Sequence, residues 1–232
     1  MLNTQDIRGR PSFLFWLWSA DGRFHTIKRG FDILGSLFLL PVMLAIGLVL
    51  LVANPLWNQG PLFFTQRRVG RNGVPFAMVK FRTVDAQGRV SSFAALLRAR
   101  RVDEVPQVFN VLAGEMSLIG PRPEQPDNEA AYAFKLPGYM SRHEVRPGIS
   151  GLAQVEFGYA EGLEETAHKL RFDIAYTRQR RLSLEAYIVW ATLRVLWRGT
   201  ESGIAQSRQR VAPKRAKNCS ISRLELTAGG AL

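Results

Sequence analysis

The chain is poor in the residues that build covalent or metal-centred chemistry. Its single cysteine, Cys219, excludes an internal disulfide and any cysteine-based zinc cluster. The three histidines, at positions 25, 143 and 168, make no spaced metal motif. Nothing in this composition implies an oxidising compartment. Acids are scarce too: 19 Asp and Glu face 31 Lys and Arg, for a formal charge of +12. Such an excess favours partners that carry phosphate, whether anionic lipid, nucleotide or nucleic acid. Charge of either sign disappears between Ile33 and Gln66.

That uncharged stretch has a core, Ile33 to Ala53, of 21 residues, close to the roughly 20 needed to cross the hydrocarbon of a bilayer. A transmembrane helix is the plain reading. Pro41 near its middle removes a backbone hydrogen bond and predicts a kink or break. Cations flank both ends, Arg23, Lys28 and Arg29 before it and Arg67, Arg68 and Arg71 after it. A spanning helix prefers its positive charge on one side. Both features fit a re-entrant, Pro-broken helix that leaves the membrane on the face it entered. Ahead of it, Phe13 to Trp18 is too short for a signal-peptide core, and its two tryptophans suit an interfacial anchor.

A chain of 232 residues with 47% apolar and 22% charged side chains fits one or two folded domains. The expected class is α/β, mostly helical with short strands. Strands are expected at Pro61–Thr65 and Phe76–Phe81 around a Gly70–Gly73 turn, and helices at Ser91–Arg101 and Val105–Ala113, the second ended by Gly114. Two prolines make Ile119–Glu124 an extended turn. Helices follow at Asn128–Leu136, Glu161–Arg181 and Leu184–Trp197, with loop and short strand between Glu144 and Gln154. From Gly199 onward six Lys and Arg face two acids, and a disordered basic tail is expected. The organisation is therefore an interfacial segment (1–27), a membrane helix (28–60), a catalytic domain (61–198) and a tail (199–232).

The chemistry concentrates at Asp103-Glu104. Between Arg67 and Asn110 nine Lys and Arg face three acids, two of which are this pair. One reading is a helix N-cap followed by a first-turn Glu and a tolerated Pro106. The other is a nucleophilic carboxylate beside one that helps hold a divalent cation, at a helix start suited to phosphate. Arg122 between Pro121 and Pro123, and Arg146 before Pro147-Gly148, read either as surface-turn arginines or as preorganised guanidinium groups for a phosphate. Lys80 and Arg82 lie two apart on an expected strand and share one face.

Taken together, the motifs resemble a known family. They are Lys28-Arg29-x-x-Asp32, Phe64-Thr-Gln-x-Arg-x-Gly70, Lys80-Phe-Arg-Thr83, Asp103-Glu-x-Pro-Gln-x-x-Asn110, the run from Gly114 to Pro123, and Arg146 to Val155. In this order they resemble the bacterial sugar transferases that are monotopic polyprenyl-phosphate phosphoglycosyl transferases. The resemblance implies an enzyme on the cytoplasmic face of the bacterial inner membrane. It would move a sugar 1-phosphate from a UDP-sugar to undecaprenyl phosphate, with Mg²⁺, through a covalent aspartyl intermediate and release of UMP. Asp103 would be the nucleophile and Glu104 its partner at the metal. Arg122 and Arg146, with Lys80 and Arg82, would bind substrate phosphate or nucleotide, and Lys28 and Arg29 would sit near the lipid phosphate. Nucleic acid is not an implied partner, and a homo-oligomer is left open. The chain resembles the catalytic-domain-only form. It departs from the usual pattern in a short segment between Thr83 and Asp103, in Glu156-Phe-Gly158 after Val155, and in Leu40 before Pro41. An ordinary nucleotide-sugar glycosyltransferase is disfavoured because no Asp-x-Asp occurs. A non-catalytic, membrane-bound basic module gives no reason for Asp103-Glu104.

Overall fold

A computed structural model describes residues 20–57, 60–85, 87–157 and 162–198. The anchor expected at Phe13–Trp18 and the basic tail expected from Gly199 lie outside the described residues.

The uncharged stretch forms the middle of one helix, α1 (Ala20–Trp57). At 1.5 Å per residue its 38 residues extend about 57 Å. The segment Gly22–Asn54 is long and apolar enough to cross a membrane. Its helical assignment runs through Pro41, so the expected break does not divide it into two elements. One stripe of α1 is buried against the rest of the chain: Lys28, Asp32 and Ser36 near the start, then Met43, Gly47 and Leu50. Steps of three, four and seven keep these residues on one side of the helix. The opposite side exposes Leu34, Leu37, Phe38, Val42, Leu48, Val49 and Val52. The buried stripe extends on both sides of Pro41.

β1 (Phe63–Val69) and β2 (Pro75–Phe81) form an antiparallel hairpin. Its turn is closed by Gly70 and Val74 through the Gly70 amide and the Val74 carbonyl, with Asn72 and Gly73 at positive φ (57° and 76°). α2 (Ser92–Ala99) follows, capped by the Ser91 hydroxyl on the Ala94 amide. The expected second helix is split. Val102–Gln107 is a 3₁₀ segment, and only Val108–Ala113 (α3) is α-helical before Gly114 ends it at φ 86°.

The rest of the chain adds β3 (Ser117–Ile119), α4 (Pro126–Lys135), a 3₁₀ segment (Tyr139–Glu144), β4 (Gly148–Ser150), α5 (Leu152–Glu156), α6 (Leu163–Arg178) and α7 (Leu182–Arg198). β3 and β4 pair in parallel. They approach so closely that a Cβ at Gly148 would lie 2.1 Å from the Gly120 amide nitrogen, and one at Gly151 would lie 2.2 Å from the Gly120 carbonyl oxygen. Only glycine fits such backbone-to-backbone contact. The core has three parts. Met43 and Leu50 of α1 pack with Phe81, Leu97 and Val108; Phe76 and Met78 pack with Val111 and Met116; Ile119 and Val145 pack with Tyr176 and Ile188. α7 turns Ile188 and Ala191 inward and leaves Tyr187, Trp190, Leu193 and Trp197 exposed.

Candidate active site

Asp103 and Glu104 open the 3₁₀ segment immediately after Arg101. Arg101 takes the left-handed conformation (φ 53°, ψ 23°), which is sparsely populated by non-glycine residues and costs about 1 kcal/mol or more. No side chain caps this segment, so Asp103 is not the N-cap that one reading of the sequence allowed. The segment is fixed from behind by Asn110. Its Oδ1 accepts from the Val79 amide at 3.0 Å and its Nδ2 donates to the Ala77 carbonyl at 2.8 Å, pinning α3 to β2.

The two carboxylates are treated differently. Glu104 is buried and holds three cations. Lys80 Nζ is 3.0 Å from Oε1, Arg101 is 3.5 Å from Oε2, and Arg122 grips both oxygens, with its second nitrogen 3.1 Å from Oε2. Burial works against ionisation, but Arg122 and Lys80 outweigh it and hold Glu104 well below the usual carboxylate range. Asp103 accepts no hydrogen bond from any described residue. Burial first, and the Glu104 charge second, push it up to about 6, against the partial relief of Lys80, Arg98 and Arg122. The basin thus sets four cations against two acids, leaving surplus positive charge beside an underused carboxylate. Lys80 is lowered chiefly by its own burial. Arg101 is lowered by burial and by Arg122.

Of the eight residues nominated from the sequence, Asp103, Glu104, Lys80 and Arg122 come together here. The other four do not. Arg82 turns its Nε to the Val84 carbonyl at 2.8 Å. Lys28 is buried between Asp32 (2.8 Å) and Glu185 (2.9 Å). Arg29 donates to the Val111 and Leu112 carbonyls at 2.7 and 3.0 Å, and Arg146 donates to the Gly114 carbonyl at 2.8 Å. Both arginines therefore satisfy carbonyls at the C-terminus of α3, the end away from the dyad. Arg98 and Arg101 were not nominated. Arg98 donates Nε to Thr83 Oγ1 at 2.7 Å and lies close enough to lower Asp103. A cavity of about 350 Å³ lined by Thr83, Asp85, Arg89, Val90 and Ser91 adjoins that contact.

Among the described residues no three His, Cys, Asp or Glu side chains gather as a metal cluster. Mg²⁺ does not need one, because it is commonly held by one or two carboxylates together with substrate phosphates. Asp103 has the hard oxygens and the free valence for that role. Glu104 uses both oxygens on cations, so it fits as a neighbour that shares its charge.

A carboxylate with no bonded partner, at the edge of a basin with surplus positive charge, is the signature of a site for phosphate groups. The similarity to known proteins agrees with this reading. Residues 23–199 match the bacterial sugar transferases, and the chain belongs to that family. It is 40% identical over 186 residues to an Aeromonas hydrophila UDP-N-acetylgalactosamine-undecaprenyl-phosphate N-acetylgalactosaminephosphotransferase, covering 75% of this chain and 44% of the relative. It is 33% identical over 205 residues to a Klebsiella pneumoniae UDP-glucose:undecaprenyl-phosphate glucose-1-phosphate transferase, covering 82% and 44%. A Caulobacter vibrioides protein bearing the same activity name is 32% identical over 190 residues, covering 75% and 68%. The chain thus spans less than half the length of the first two relatives.

Proposed function

We propose that this chain transfers a sugar 1-phosphate from a UDP-sugar to undecaprenyl phosphate at a bacterial inner membrane, as the first step of a surface glycan. The observation that carries this is the asymmetry of the dyad. Glu104 is neutralised by Lys80, Arg101 and Arg122, whereas Asp103 has no hydrogen-bond partner among the described residues. In the proposed reaction an Asp103 oxygen attacks the sugar-bearing phosphorus, the bond between the two phosphates breaks, and UMP leaves with that bond's electrons. The phosphate of the lipid then attacks the same phosphorus. Asp103 is released as a carboxylate, and a lipid diphosphate sugar forms.

Arg122, Lys80, Arg98 and Arg101 bind the diphosphate and offset the charge that accumulates as one anion approaches another. Asp103, beside Glu104, would hold Mg²⁺ together with the donor phosphates. When bound, that ion supplies positive charge to the phosphate oxygens. The cytoplasmic face is part of this proposal, and two apolar surfaces support attachment to a membrane. One is the outer side of α1. The other is the exposed aromatic side of α7, where Arg194 lies 5.1 Å over the Trp190 ring. Re-entry of α1 is supported by its packing, since Met43 and Leu50 share a core with Phe81 and Leu97. A spanning placement would draw those residues into the bilayer. Cysteines placed at Arg23 and Arg71 that label from opposite sides would rule re-entry out.

The deciding assay supplies the full chain, in nanodiscs with Mg²⁺ and undecaprenyl phosphate, with a panel of UDP-sugars and measures UMP and UDP separately. UMP is expected from the cognate donor, with a loss of about 10⁴-fold or more in Asp103→Asn. UDP in place of UMP, or an unaffected variant, would defeat the reading.

A further inference from the structure

Arg122 is fixed at both ends. Its guanidinium grips both oxygens of Glu104, and its own carbonyl accepts a 2.7 Å hydrogen bond from Arg142. Arg142 belongs to the 3₁₀ segment before β4 and is nearly inaccessible. The nitrogen that reaches the Arg122 carbonyl also donates to Asp173 Oδ2 of α6 at 2.8 Å. Its other terminal nitrogen donates to the Tyr139 hydroxyl at 2.8 Å, and its guanidinium lies 5.1 Å over the Tyr139 ring. The side chains of Arg142 and Asp173 are each only 4% exposed.

This pair is costly to bury. A buried ion pair of good geometry is often no more stabilising than apolar residues of the same size. Arg142 also leaves its Nε without a hydrogen-bond partner, a further cost. What the pair provides is a fixed donor aimed at one backbone atom. The two following carbonyls are held as well, Pro123 by Arg68 at 3.1 Å and Glu124 by the Val69 amide at 3.0 Å. Those two contacts come from β1. The contact at Arg122 itself comes from the far side, through α6.

We infer that Arg142, oriented by Asp173, is a positioning residue that sets where the Arg122 guanidinium meets Glu104 and the substrate phosphate. Its action on rate rests on the proposed sugar-phosphate transfer; its action on the Pro121-Arg122-Pro123 turn does not.

The test compares full-length Arg142→Lys and Asp173→Asn with the wild type in nanodiscs, using two readouts. Hydrogen exchange at the amides of Gly120, Gly148 and Val69, which donate to the Ser150, Pro121 and Glu124 carbonyls around the turn, is expected to quicken while α3 and β2 keep wild-type protection. UMP release is expected to show a kcat lower by about 10²-fold, as misplacement of a charge-bearing group does, with donor KM little changed. Loss of stability alone would lower the amount of active enzyme and leave the rate per folded molecule and the exchange of the turn unchanged. Arg142→Lys keeps the charge and carries the test if Asp173→Asn does not fold. Wild-type exchange across the turn overturns the inference, as does a wild-type kcat per folded molecule with the turn loosened. If the wild type itself releases no UMP, the proposed reaction fails, and hydrogen exchange still decides the positioning role.

Discussion

Two buried charge clusters in this chain look alike in the sequence and differ in the fold. At Lys28, one cation meets two acids, Asp32 and Glu185, and further donors reach both carboxylates, while Glu185 Oε2 has only the Lys28 ion pair. The Ser117 hydroxyl and the Leu118 amide donate to Asp32 at 2.9 and 3.0 Å, and the Tyr176 hydroxyl donates to Glu185 at 2.6 Å. That cluster is closed and ties α1 to β3, α6 and α7. At Glu104 the ratio is reversed, with four cations around two acids, and Asp103 has no bonded partner. That cluster is open to an anion. Bonding and not the charge count separates the two: donors from α1, β3 and α6 tie the acids at Lys28, whereas Asp103 is left without one among the described residues.

The contrast breaks most clearly at Lys28. Lys28→Met leaves Asp32 and Glu185 buried without their cation and should cost about 3 kcal/mol or more, read by chemical or thermal unfolding. UMP release per folded molecule should stay near wild type. A normal stability with a lost rate would instead put Lys28 in contact with a substrate phosphate.

A smaller effect of opposite sign is expected at the open cluster. Folding raises Asp103 from 3.8 to about 6, so the folded state binds this proton more tightly than the unfolded chain does. Ionised Asp103 therefore destabilises the fold above pH 6, by at most about 3 kcal/mol, and this cost fades as pH falls through 6 towards 4. Asp103→Asn should be more stable than wild type at pH 7 and no more stable near pH 4. Unfolding curves at the two pH values check the sign.

The smallest effect is in the rate. If Asp103 must be ionised to react, UMP release should fall about tenfold for each pH unit below 6. Lys28→Met should leave that limb where it is.

Much of the catalytic half was legible because its signals are local. Gly70 and Gly73 marked the hairpin turn, Pro121 and Pro123 marked the extended turn at Arg122, and the cation count around Asp103-Glu104 marked the basin. The protein partners of Arg29 and Arg146, and Glu185 as a partner of Lys28, were not legible because they are remote in the chain. Arg29 reaches carbonyls 82 and 83 residues away, and no periodicity reveals such a partner. Arg101 was missed for a different reason, since a left-handed arginine leaves no compositional trace. The helix at Val105–Ala113 was half right. Its hydrophobic spacing suits either a 3₁₀ or an α-helical turn, and the α-helix begins only at Val108, beyond Pro106, which has no N–H to donate.

The Lys28 cluster also fixes an order of events. Asp32 receives the Leu118 amide from 86 residues downstream, and Lys28 finds Glu185 only once α7 exists. During synthesis α1 emerges first and β3, which leads into the Arg122 turn, long afterwards. Contacts this distant in sequence form late, since loop closure must precede them. The long apolar helix can therefore be complete before the strand beside the basin is secured. A nascent chain carries an unassembled site until nearly all the residues that build it have left the ribosome.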